Sequence, residues 1–235
     1  MARAALAFFL CLALGGAGPF TERLAPAARK HIRTVAVISD LGHAFTFAHV
    51  RNTPWQWLVP SDSRLLESSD WALDPYVAKA VSAALARSFV VKPVMFQPAD
   101  FSTWNDYLLR RAVLDLNADP GIDAYVLILR DCRNDAPGGH ALCGLGLYRR
   151  DGTPAPALFA AYRIVVVDAL TGDTLASRAA SLPDGALPSL PVPASLWPKS
   201  PDALDAAQSA MLAADETRLI DATLLRTLGE LGLAR

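Results

Sequence analysis

Ile122-Asp-Ala-Tyr-Val-Leu-Ile-Leu-Arg130 is the stretch on which the fold turns. Tyr125, Val126, Leu127, Ile128 and Leu129 follow one another without a polar residue, so a strand here has no wet face and belongs inside a sheet. Tyr162-Arg-Ile-Val-Val-Val167 has the same character. Asp168-Ala-Leu-Thr-Gly-Asp173 then supplies a hairpin turn with glycine where a positive φ is needed, and residues 174–180 return as the next strand. On the amino-terminal side, residues 107–116 place Leu108, Leu109, Ala112, Val113 and Leu116 at helical spacing, and Pro120-Gly121 stops that helix.

The outer parts complete a mixed pattern. Thr34-Val-Ala-Val-Ile38 reads as the first strand, ended by Ser39, Asp40 and Gly42, and residues 45–50 alternate as a second. Residues 51–71, with Trp55, Trp57 and Trp71, read as a long structured loop. Asp74-Pro75 reads as a cap followed by proline at the first helical position, opening a helix to Arg87. Residues 89–96 are a strand that Pro93 confines to an edge. Residues 144–150 are expected to pair back across a cysteine loop. The prolines between Pro183 and Pro201 mark an extended linker over 183–201, and a helical tail follows over 202–231. Asp215 and Glu216 interrupt that tail's apolar stripe, which predicts a bend or two abutting helices. The predicted fold is α+β or α/β, a two-layer sandwich with a mixed sheet of about six to seven strands and about three helices packed on it.

The beginning of the chain bears on compartment. Met1-Ala2-Arg3, an apolar run from Ala4 to Leu14 and small residues Gly15, Gly16 and Ala17 have the order of a cleavable secretory signal over 1–17. That run is far shorter than the roughly 20 residues a membrane span requires. Cys11 lies inside it, without the small preceding residue of a lipoprotein site. Residues 18–33 read as a connector, and 34–235 as one domain. With the signal removed, Cys132 and Cys143 remain, flanking a turn-rich segment, and an oxidising compartment is expected to join them. The expected location is therefore the periplasm or the exterior.

Composition excludes some classes of function. With 22 basic and 23 acidic residues the net charge is −1, so there is no field to collect nucleic acid. No second Cys or His pair stands at zinc spacing, and no glycine loop matches a nucleotide fingerprint, so no metal or cofactor is expected. Ser39, Asp40 and His43 at the end of the first strand are the one polar cluster with hydrolytic chemistry in it. They fit neither the one-residue Asp-x-His spacing of a metallophosphoesterase nor a nucleophile elbow. Trp55 and Trp57, of one parity, together with Trp71, are the candidate surface for a partner or ligand.

The opening Thr34-Val-Ala-Val-Ile38, the helix leading into Phe89-Val-Val91, the strand over 122–129 and the hairpin through Asp168-Ala-Leu-Thr-Gly-Asp-Thr-Leu175 resemble bacterial envelope modules. These are the TolB amino-terminal domain, curli-secretion lipoproteins and activators of penicillin-binding proteins. The hairpin after Phe45, the cysteine loop and the lack of an acylated cysteine depart from that pattern. The resemblance implies a protein-binding role in the envelope and transfers no active site. The reading is an exported, non-enzymatic binding or assembly protein with an envelope partner. Its alternatives are an esterase- or phosphodiesterase-type hydrolase at Ser39, Asp40 and His43, and a glycan or small-ligand binder at Trp55 and Trp57.

Overall fold

Residues 22–51, 62–97, 101, 105–116, 121–134, 140–153, 155–200 and 203–234 are described by the computed structural model. The signal segment 1–17, Trp55 and Trp57 lie outside them. In chain order the elements are α1 (Pro26–His31), β1 (Thr34–Asp40), β2 (Ala44–Val50), β3 (Asp62–Glu67), α2 (Leu73–Leu85), β4 (Val90–Lys92), α3 (Asp106–Asp115) and β5 (Ala124–Arg130). Then come β6 (Cys132–Asn134), β7 (Ala141–Arg150), β8 (Ala157–Asp168), β9 (Thr174–Ala179), β10 (Ser189–Pro191) and α4 (Ala206–Glu230).

β8 is the spine of the sheet. Along one edge it pairs antiparallel with β5 over Tyr162–Asp168 and with β7 over Ala157–Ala161. Along the other edge it pairs with β9 and then β10. The partner changes at Ala161 and Tyr162 on both edges, so two half-sheets share one long strand: β4-β1-β5-β8-β9 and β3-β2-β7-β8-β10. β1 runs parallel to β5, and β2 parallel to β7. Chain segments 34–50 and 124–150 therefore each cross from one half to the other. The first crosses through the turn at Leu41, Gly42 and His43, the second through the β6–β7 arm. These crossings form a seam.

The core explains why the central strands are apolar throughout. On one face, Val35, Phe45, Val126, Tyr162 and Ile164 meet Val77, Val81 and Leu85 of α2 and Leu212, Leu219, Ile220 and Leu224 of α4. On the reverse face, Ile38, Tyr125, Leu127, Leu129 and Val165 meet Leu109 and Val113 of α3. Each such side chain stabilises the fold by roughly 1.5–3 kcal/mol relative to exposure. The mixed sheet covered by helices is the architecture the pattern predicted, with α3 added on the reverse face.

Several local expectations change. The connector over 18–33 contains α1, and Leu24 is buried and ties its N–H to the Leu231 carbonyl. The loop over 51–71 contains β3, an edge strand whose Asp-Ser-Arg-Leu-Leu-Glu has no alternation because Leu65 faces solvent. The strand over 89–96 shrinks to β4, since Pro93 has no N–H to continue the ladder. Asp74 is not the cap: Ala72 holds that position at φ 49°, which frees the Asp74 side chain for another task. β7 does not return along β5; β6 is its hairpin partner, and β8 and β2 are its long-range ones. The extended stretch over 183–201 pairs with β8 through β10. The helical tail is one unbroken 25-residue helix with Glu216 inside the buried stripe.

Candidate functional site

The polar residues singled out at the end of the first strand fall on the seam. Ser39 is buried, and its hydroxyl donates to Asp74 Oδ1 at 2.7 Å. The Leu41 N–H donates to the same oxygen, also at 2.7 Å. Burial pushes the Asp74 carboxyl above its ordinary range, and these two hydrogen bonds work against the rise. His43 is exposed, and its carbonyl accepts from the Ser68 N–H and hydroxyl at 2.6 and 2.9 Å. Among the described residues no histidine nitrogen hydrogen-bonds to Ser39. A nucleophilic serine hands its proton to a base that can release it; here the proton sits against a carboxylate that also fastens the backbone.

Asp74 is therefore a clamp that holds the β1–β2 turn against α2. Asp74→Ala leaves a buried hydroxyl and a part-buried N–H without their acceptor, and is expected to cost about 1–3 kcal/mol. Asp74→Asn keeps an oxygen at that place and should cost clearly less. Urea denaturation of both variants checks the ranking, and equal losses would rule the clamp out.

Asp40 lies beside Ser39 but faces the reverse side of the sheet. There it lines a cavity of about 280 Å³ with Phe101, Leu109, Leu129, Val165, Arg130 and Arg163. Cys132 and Cys143 form a disulfide at the same cavity; they are directly opposed on β6 and β7, with Cα atoms 4.0 Å apart. Asp131, mostly buried, accepts from the Cys132 N–H and has the Arg163 Nε at 3.7 Å.

The other sequence candidates are distributed elsewhere. Trp71 packs its ring 4.8 Å from that of Phe45 and donates its indole N–H to Ser209 Oγ at 3.0 Å, which ties the segment before α2 to α4. His49 meets Asp151 at 2.8 Å. His140 is buried near the Arg51 carbonyl. Among the described residues no three His, Cys, Asp or Glu side chains converge as a metal site, and no helix is long and apolar enough to cross a membrane.

A further concavity was not anticipated from sequence. α2 and α4 stand apart over a groove of about 900 Å³, whose floor and walls include Ala80, Ala83, Ala84, Leu224, Leu225 and Gly229. Small residues on the facing sides keep the two helices from filling the space between them. Tyr76 donates to Asp221 Oδ2 at 2.7 Å, so the acid in the groove already has a partner. Among the described residues, Arg29 and Arg87 border it as cations. Arg87 is exposed, and Arg29 lies over the Phe89 ring at 4.7 Å with its Nη1 buried and, among the described residues, without a hydrogen-bond partner. The alanine spacing on α2 was the one legible sign, and it reads equally well as ordinary core.

No family model and no curated protein matches the chain. Among solved structures it is similar to protein XCC0632 of Xanthomonas campestris, described as DUF330, at 11% identity and a TM-score of 0.37 over 87% of each chain. It is similar to the lipoprotein GNA1162 of Neisseria meningitidis at 11% identity and a TM-score of 0.30, over 81% of this chain and 99% of that one. The hypothetical protein CT253 of Chlamydia trachomatis gives 11% identity and a TM-score of 0.37, over 85% and 98%. Likenesses at these scores say nothing about what this chain does.

Proposed function

We propose that the chain is an exported binding component of a bacterial envelope, working in the periplasm, and that it takes an acidic, apolar segment of a protein partner in the groove between α2 and α4. The groove carries this reading. It is about 900 Å³ in volume, is lined by small and apolar side chains, and is bordered by Arg29 and Arg87. Apolar floor and cationic rim together complement an amphipathic segment that carries carboxylates. The secretory-type leader and the Cys132–Cys143 bridge favour an oxidising compartment outside the cytosol. The hydrolase alternative loses its main prop, because the Ser39 proton is engaged by Asp74.

A photo-crosslinking residue at Ala83, in the producing cell, tests the groove directly. The expected result is one discrete protein adduct, mapped to an acidic, apolar segment of the partner. It should be absent when the crosslinker sits at the exposed turn residue Leu170 and diminished by Arg87→Glu. The same adducts from Ala83 and Leu170, or an adduct indifferent to Arg87→Glu, would overturn the reading. So would esterase turnover that disappears in Ser39→Ala.

A further inference from the structure

We propose that the seam cavity is a second binding site, separate from the helix groove, for a carboxylate carried on a small apolar body, with Arg130 as its anchor. The cavity lies at the carboxyl ends of the parallel strands β1 and β5, on the α3 side of the sheet. Crevices outside the carboxyl ends of strands are where open α/β sheets commonly receive ligands. At about 280 Å³ it is just below the range of drug-sized pockets, and Phe101, Leu109, Leu129 and Val165 give it apolar walls.

Arg130 is seated, not loose. Its side chain lies across Gly42 and Gly144, which have φ of +83° and +70°. A Cβ on Gly144 would stand 2.6 Å from Arg130 Nε, and one on Gly42 would stand 3.1 Å from Arg130 Cδ. The turn after β1 and the early part of β7 thus lack side chains where this arginine passes. Among the described residues its guanidinium makes no ion pair and no hydrogen bond. A half-buried guanidinium held in one place loses little freedom when it binds, and its planar fork matches a carboxylate.

The rest of the lining selects the charge of the ligand. Arg163 is engaged by Asp131 at 3.7 Å, which among the described lining residues leaves Arg130 as the available cation. Asp40 and Asp106 also line the cavity. Two nearby carboxylates disfavour a dianion such as phosphate, while one singly charged group on Arg130 can be tolerated. The apolar walls then call for a body without further polar groups. Such a carboxylate occurs on a free small acid and at the end of a polypeptide.

Calorimetry on the oxidised, full-length mature protein decides the matter. The probes are 3-phenylpropanoate, its neutral amide, inorganic phosphate, and a pentapeptide ending in Phe with a free or an amidated carboxyl terminus. Saturable binding of 3-phenylpropanoate or of the free-ended peptide is expected, and which of the two binds identifies the source of the carboxylate. The amide and phosphate should bind about tenfold more weakly or worse, and Arg130→Gln should weaken the carboxylate about tenfold or more. Arg130→Lys keeps the charge without the fork and should fall between. Gly144→Ala displaces the guanidinium and should mimic Arg130→Gln; if Gly144→Ala fails to fold, the two Arg130 variants still decide. Equal binding of acid and amide, binding indifferent to Arg130→Gln, or no saturable binding of either carboxylate probe would each overturn the proposal.

Discussion

Replacing Glu216 by leucine is expected to raise stability near neutral pH by about 1–4 kcal/mol, the scale of gain known for packed apolar side chains that replace buried ionisable ones. Glu216 lies in the middle of α4, fully buried, and neither carboxyl oxygen has a hydrogen-bond partner among the described residues. Burial pushes its carboxyl well above the ordinary range, and no cation among the described residues offsets the shift. Around it, Tyr162 of β8 shares a 2.7 Å hydrogen bond with Thr223, and Arg226 pairs along the helix with Glu230 at 3.9 Å.

The pH dependence follows in sign. The native state holds this proton more tightly than the unfolded chain, whose carboxyl has the ordinary value of 4.5. Above that value folding must take up a proton, and stability falls by about 1.4 kcal/mol per pH unit from this group alone until its native pKa is reached. Glu216→Leu removes the dependence, so its advantage should be small in acid and widen as pH rises. Urea melts of both proteins between about pH 5 and 8 measure this. A constant difference across the range, or a less stable variant, would contradict it.

Gly146→Val should destabilise the fold by about 3 kcal/mol or more, at the upper end of what overpacking costs. Gly146 lies on β7, where β2 and β8 flank it at Thr46 and Phe159. A Cβ there would meet the Thr46 carbonyl oxygen and stand 2.6 Å from Phe159 Cζ. The Phe159 ring is fully buried and packs against Tyr148, so it has no empty space to enter. The Thr46 carbonyl belongs to the backbone of the neighbouring strand and cannot rotate away. Gly152→Ala is the matched control. Its Cβ would meet nothing within 4 Å, so only the strain of φ +81° remains, about 1–2 kcal/mol. Thermal melts showing the two variants equally mild would sink the packing argument.

How legible the molecule was depends on the range of the interaction involved. The apolar runs at 124–130 and 162–167 declared central strands because a strand covered on both faces leaves no polar position. The helix over 107–116 and the hairpin at Asp168 were readable for the same local reasons, and both lie within a residue or so of the expected limits. Glu216 was misread as a break in the stripe, since a carboxyl normally stays in water. Asp74-Pro75 was misread as a cap because its pattern is that of one, while the carboxylate is drawn to Ser39 and Leu41 across the fold.

The candidate sites were less legible still. Ser39 and Asp40 are adjacent in sequence, yet a strand sends successive side chains to opposite faces: Ser39 goes to the Asp74 clamp and Asp40 to the seam cavity. Arg130, Gly42 and Gly144 are remote from one another along the chain, and none belongs to a motif. They meet only because β5 ends beside the turn after β1 and the early residues of β7.

By itself, then, the amino-acid order determined the alternation of helix and strand, the burial of the central strands and the hairpin that carries the two cysteines. Hydrophobic period and turn chemistry act over a few residues and need no distant partner. Tertiary structure alone decided that one twelve-residue strand serves two half-sheets, that a groove stays open between α2 and α4, and that two glycines make room for an arginine. Each of these depends on which surfaces meet after the chain has closed over long separations, and excluded volume between such surfaces leaves no periodic trace along the chain.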